Sequence, residues 1–78
     1  MANKYYRKAT DREREASVAL YKFFESFAKL TEEDGESNAW YIIIDDAVEL
    51  ARQYPECKYT IMGIVTDISD RAKENSNG

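Results

Sequence analysis

The sequence predicts a small all-α protein, a three-helix bundle, and three observations predict it. Apolar residues recur at steps of three and four in three segments, Leu20 to Leu30, Trp40 to Tyr54 and Ile61 to Ala72. Two short polar connectors, one holding Gly35 and the other Pro55, separate those segments. The chain has 78 residues and no internal repeat, which suits one domain over residues 1 to 78. A chain this short buries only about 60% of its unfolded surface, so self-association is one route to added stability.

The first helix is signalled by Thr10-Asp11-Arg12-Glu13, which has the form of a capping box. In that motif the Thr10 hydroxyl accepts the Glu13 amide while the Glu13 carboxylate accepts the Thr10 amide. Ala16, Leu20, Phe23, Phe27 and Leu30 then follow at steps of four, three, four and three, and Phe24 widens the stripe. Residues 1 to 9 precede the cap and are expected to fray.

Residues 31 to 37 read as a connector. Gly35 suits a helix stop, and Ser37 or Asn38 suits the cap of the next helix. The second helix is predicted over Ala39 to Tyr54, with Trp40, Ile43, Ile44, Ala47, Leu50, Ala51 and Tyr54 on one broad face. Pro55 ends it, because proline lacks an amide donor and restricts the residue before it.

The third helix is predicted to be capped by Thr60. It carries Ile61, Ile64, Val65, Ile68 and Ala72 inward. Phe23, Ile44 and Ile64 are the expected meeting point of the three helices. Residues 75 to 78 are expected to fray. Two stretches, 39 to 44 and 58 to 65, also suit strands, because Tyr41-Ile42-Ile43-Ile44 and Lys58-Tyr59-Thr60-Ile61-Met62 are strand-like in composition, while Gly63 weakens either reading. The alternative fold is therefore α+β, with a short two-stranded element from those residues.

Composition argues against most chemistry. The chain has no His and one Cys, so it has no internal disulfide and no base for a nucleophilic serine. Cys57 reads as a small half-buried apolar residue. The only glycines are Gly35, Gly63 and Gly78, too few for a phosphate-cradling loop. The acidic connector is not an EF-hand. Counting Gly35 as its invariant glycine puts Leu30 and Tyr41 where oxygen ligands belong. Asp45, Asp46 and Glu49 read as an exposed acidic face rather than an acid/base pair or metal site. No enzyme activity, cofactor, metal or small-molecule substrate is expected. The absence of an apolar leader or a long apolar run makes a cytoplasmic protein with no membrane contact the expectation.

Charge is unevenly placed within a net of -4. Residues 1 to 31 carry seven Lys or Arg against four Asp or Glu, a balance of +3, and residues 32 to 78 carry four against eleven, a balance of -7. Six Tyr, three Phe and one Trp exceed what so small a core can hide. Tyr and Trp are enriched at protein interfaces. The expected function is thus a protein–protein interaction module whose partner is another protein, with a second copy of the chain as one candidate. An acidic inhibitor or adaptor of a larger protein is a variant of the same reading. Trp40, Tyr41, Tyr54 and Tyr59 are its candidate contacts, with Asp45, Asp46 and Glu49 choosing the partner by charge. The alternative is a nucleic-acid-binding module built on Lys4, Tyr5, Tyr6, Arg7, Lys8, Arg12 and Arg14. There cations would meet phosphates and tyrosines would stack on bases. The acidic pI of 4.8 argues against it.

Overall fold

A computed structural model describes residues 7–34 and 38–77 of the chain. Three long helices, α1 (Asp11–Ser26), α3 (Trp40–Gln53) and α4 (Lys58–Asn77), pack against one another, and a single helical turn, α2 (Glu32–Asp34), lies between the first two in sequence. This is the expected all-α bundle. No strand occurs among the described residues, so the α+β alternative is set aside. Residues 40 to 44 and 58 to 65 are helical because burial at every third and fourth position outweighs the local preference of Ile42, Ile43 and Ile44 for strand.

The capping box at Thr10 forms in full. The Glu13 amide donates to Thr10 Oγ1 at 3.1 Å, and the Thr10 amide donates to Glu13 Oε1 at 2.8 Å. α1 is shorter than its apolar stripe. It closes at Ser26 through tight bonds from the Phe27 and Ala28 amides to the carbonyls of Phe24 and Glu25. Phe27 still reaches the core and meets Phe23 edge-on, with ring centroids 5.7 Å apart.

The connector after α1 is more ordered than a plain loop. Thr31 and Asp34 repeat the capping logic, since the Thr31 amide donates to Asp34 Oδ2 at 3.0 Å and the Asp34 amide donates to Thr31 Oγ1 at 3.2 Å. The expected stop at Gly35 and cap at Ser37 lie outside the described residues. Asn38 does not cap α3. It takes φ 80°, in the left-handed region that Asn tolerates better than most residues, and α3 begins without a side-chain cap.

Pro55 ends α3 as expected, but Thr60 does not start the last helix. Pro55–Cys57 forms one turn of 3-10 helix and passes directly into α4 at Lys58, which leaves no free amide for Thr60 to cap. Residues 75 to 77, expected to fray, are instead the final turn of α4. The Asn75 side-chain amide donates to the carbonyls of Ala28 and Leu30 at 3.1 and 2.7 Å, and the Glu32 amide donates to Ser76 Oγ at 2.8 Å. These bonds satisfy backbone groups of the turn that follows α1.

The core comprises Ala16, Leu20 and Phe23 of α1, Ile43 and Ala47 of α3, and Ile61, Ile68 and Ala72 of α4. Its centre differs from the expected Phe23, Ile44 and Ile64 at two residues, Ile44 and Ile64. Ile43 is fully buried, whereas Ile44 is 48% exposed. Adjacent helical residues point about 100° apart, so burying Ile43 turns Ile44 away from the core. Ile64 packs against the cluster from its edge. Ile43→Ala is therefore expected to cost about 2–5 kcal/mol and Ile44→Ala less than about 1 kcal/mol in urea unfolding. Gly63 lies inside α4 with nothing within 4 Å of an added Cβ. Gly63→Ala should raise the unfolding free energy by about 1 kcal/mol in the same assay.

Candidate functional site

The roll of α3 about its axis sorts its residues into two faces. With Ile43 and Ala47 inward, Asp46, Glu49 and Leu50 line a crevice against Ala19, Lys22 and Ser26 of α1. On the other side, Ile44, Val48 and Ala51 face α4 and line an apolar groove of about 440 Å³. Lys58, Met62 and Val65 form the opposite wall, with Ala47 and Ile61 at its base. Ile44, Val48 and Met62 are 48%, 46% and 55% exposed, so three aliphatic side chains stand half in water on one contiguous surface. Among the described residues, Lys58 is the only charged one lining it.

The expected contact residues do not form one patch. Tyr41 is exposed and shares a helical face with Ile44 and Val48, three and seven residues on, so it prolongs the groove's α3 wall. Asp45, also exposed, points about 100° around α3 from Ile44 and lines neither the groove nor the α1 crevice. Asp46 and Glu49 belong to the α1 crevice instead. Trp40 packs against the core cluster. Tyr54 is half-buried, and its ring lies under the Arg12 guanidinium at 5.2 Å. Tyr59 is highly exposed, and the Lys58 ammonium sits 5.7 Å from its ring centroid.

Ile44, Val48 and Met62 carry the surface, and the sequence reading did not choose them as contacts. Their signal was present: α3 holds more aliphatic residues than one buried stripe accommodates. Val48 lies four residues after Ile44, beyond the core-facing positions.

The basic N-terminal stretch is largely engaged with carboxylates. Lys4, Tyr5 and Tyr6 lie outside the described residues. Arg7 donates to both Glu13 oxygens, at 2.8 and 2.6 Å. Arg14 pairs with Asp11 at 3.0 Å. Arg12 donates to both Glu56 oxygens at 2.9 Å and to the Gln53 carbonyl at 2.7 Å, which ties α1 to the corner between α3 and α4. Lys8 is exposed. Hydrogen bonds from Arg12 hold the Glu56 carboxyl below its usual range.

Two further features bear on chemistry. Cys57 is half-buried and unbridged. Among the described residues, no three carboxylates or thiols gather closely enough to hold a metal ion, and no helix is long and apolar enough to cross a membrane. Comparison of the chain with known protein families, curated proteins and solved structures finds no match.

The hydrogen bonds from Arg7, with that from the Thr10 amide, pull the Glu13 carboxyl from an ordinary 4.5 to about 2. A depressed folded value stabilises the folded form above the unfolded pKa, and this is lost as pH falls through the folded one. The start of α1 should therefore loosen between about pH 4.5 and about pH 2. Amide exchange at residues 11 to 14 checks this, and Glu13→Gln should remove that pH dependence.

Proposed function

We propose that the chain is a protein-interaction module that works through the groove between α3 and α4. The observation that carries this reading is the contiguous exposure of Ile44, Val48 and Met62 over the floor of Ala47 and Ile61. Grouped aliphatic side chains on a small surface mark a place where another chain removes them from water. Tyr41 extends the groove at one end with a ring suited to interface contact. The acidic residues of α3 away from the groove, Asp46 and Glu49, would act on choice of partner at longer range.

The nucleic-acid reading has less support. Arg7, Arg12 and Arg14 each bind a carboxylate, and phosphate would have to displace it. No activity on a small molecule and no cofactor is part of the proposal. A cytoplasmic setting accords with it and is likewise proposed.

A photo-crosslinking residue placed at position 48, in cells that express the chain, tests the proposal. Discrete protein adducts are expected there and not from the same residue at position 15 on α1. Matching adduct patterns from both positions would remove the support. Micromolar binding of purified chain to nucleic acid that weakens steeply between low and high salt would transfer it to the alternative.

A further inference from the structure

We propose that the short turn after α1 and the last turn of α4 form a latch, which opens and closes as one unit while the three-helix core stays closed. Residues 28 to 34 make one half and residues 73 to 77 the other. The latch shares no residue with the α3–α4 groove.

Two adjacent side chains of α4 make the closure. The Asn75 side-chain amide donates to the Ala28 and Leu30 carbonyls at 3.1 and 2.7 Å, and Ser76 Oγ accepts the Glu32 amide at 2.8 Å. The three backbone groups they grip fall at every second residue, 44 to 47 positions away in sequence. One side-chain amide supplies two of the bonds, so a single rotation of Asn75 breaks both. Ser76 Oγ also donates to the Ala72 carbonyl at 2.8 Å. That spends its only proton and leaves its lone pairs for Glu32.

Neither half holds itself. α2 is one turn of three residues and buries no side chain. A lone turn is unfavourable, because it fixes several dihedral angles for few hydrogen bonds. The bonds between Thr31 and Asp34 reach across only four residues. On the other side, Ala72 is the last buried residue of α4, and residues 73 to 77 are exposed. A chain end of that kind frays unless it is tied down. Closed, each half orders the other. Both are poor in buried apolar contacts, which is the character of a segment that opens ahead of the core.

The core sets the limits of the moving parts. Arg71 stacks over Phe24 at 5.2 Å and Ala72 is buried, so α4 stays seated up to residue 72. Phe27 stays against Phe23. Leu30 belongs to the moving segment and packs against the core cluster. Opening therefore presents Leu30 to water, and closing returns it. Asn75 and Ser76 thus govern a reversible exposure of one leucine.

Amide hydrogen exchange of the whole chain, followed residue by residue, tests the proposal. Asn75→Ala should speed exchange at Leu30, Glu32 and Asp34 about tenfold. Alanine favours helix more than asparagine does, so a weaker α4 does not account for that result. Thr31→Val removes a hydroxyl that bonds within the turn. It should speed exchange at residues 75 to 77 about threefold or more, because coupling between two sites acts in both directions. Amides of Leu20, Ala47 and Ile68 should change less than about twofold in both variants. Acceleration confined to the half that carries the substitution overturns the proposal, as does no acceleration in either half. Equal acceleration at the three core amides overturns it too, as does loss of the helical circular dichroism signal in either variant, since the latch would then not open apart from the core.

Discussion

Burial of Ile43 fixes the roll of α3, and most of the molecule follows from that angle. Ile43 meets Leu20 and Phe23 of α1 and Ile61 and Ile68 of α4 in one cluster. A fully buried side chain of this size contributes about 1.5–3 kcal/mol, and the roll that buries Ile43 also places Ala47 in the same cluster. With that residue inward, the next, Ile44, stands about 100° away on the α4 side. Asp46 and Glu49 turn toward Lys22 of α1. One apolar contact thus divides α3 into an acidic crevice and an apolar groove.

Charge plays a local and mostly internal part. The positive balance of the N-terminal part is matched to nearby carboxylates at Glu13, Asp11 and Glu56. Arg12 does most to hold elements together, because its planar fork takes both Glu56 oxygens while still reaching the Gln53 carbonyl. Arg71 does similar work between α4 and α1, bonded to Asp67 and stacked over Phe24 at 5.2 Å. These exposed pairs add little energy singly, but they set where the helix ends lie.

Local signals in the sequence were readable and rolls were not. The Thr10 cap and the Pro55 stop depend on neighbours within four residues, and both appear where the pattern puts them. Ile42, Ile43 and Ile44 offer three adjacent apolar directions, and only packing against α1 and α4 selects Ile43. The start of α4 at Lys58 was hidden because a 3-10 turn replaces the cap that a separated helix would need. The docking of Asn75 and Ser76 joins residues more than forty apart, which no periodicity reports. The groove was partly legible. Tyr41 continues its α3 face, but Val48 and Met62 show their part only once the roll of α3 is known.

The slender core also governs how the chain responds to heat. Unfolding enthalpy and heat capacity scale with buried surface, at about 0.7 kcal/mol and 12–15 cal/mol/K per residue for well-filled domains. A molecule whose fully buried large side chains are Ile43, Ile61 and Ile68 falls below those averages. A small enthalpy gives a gradual melt, spread over about 20 °C or more, and a small heat capacity flattens the stability curve. Such a chain changes its folded fraction gently across ordinary temperatures instead of crossing a sharp threshold.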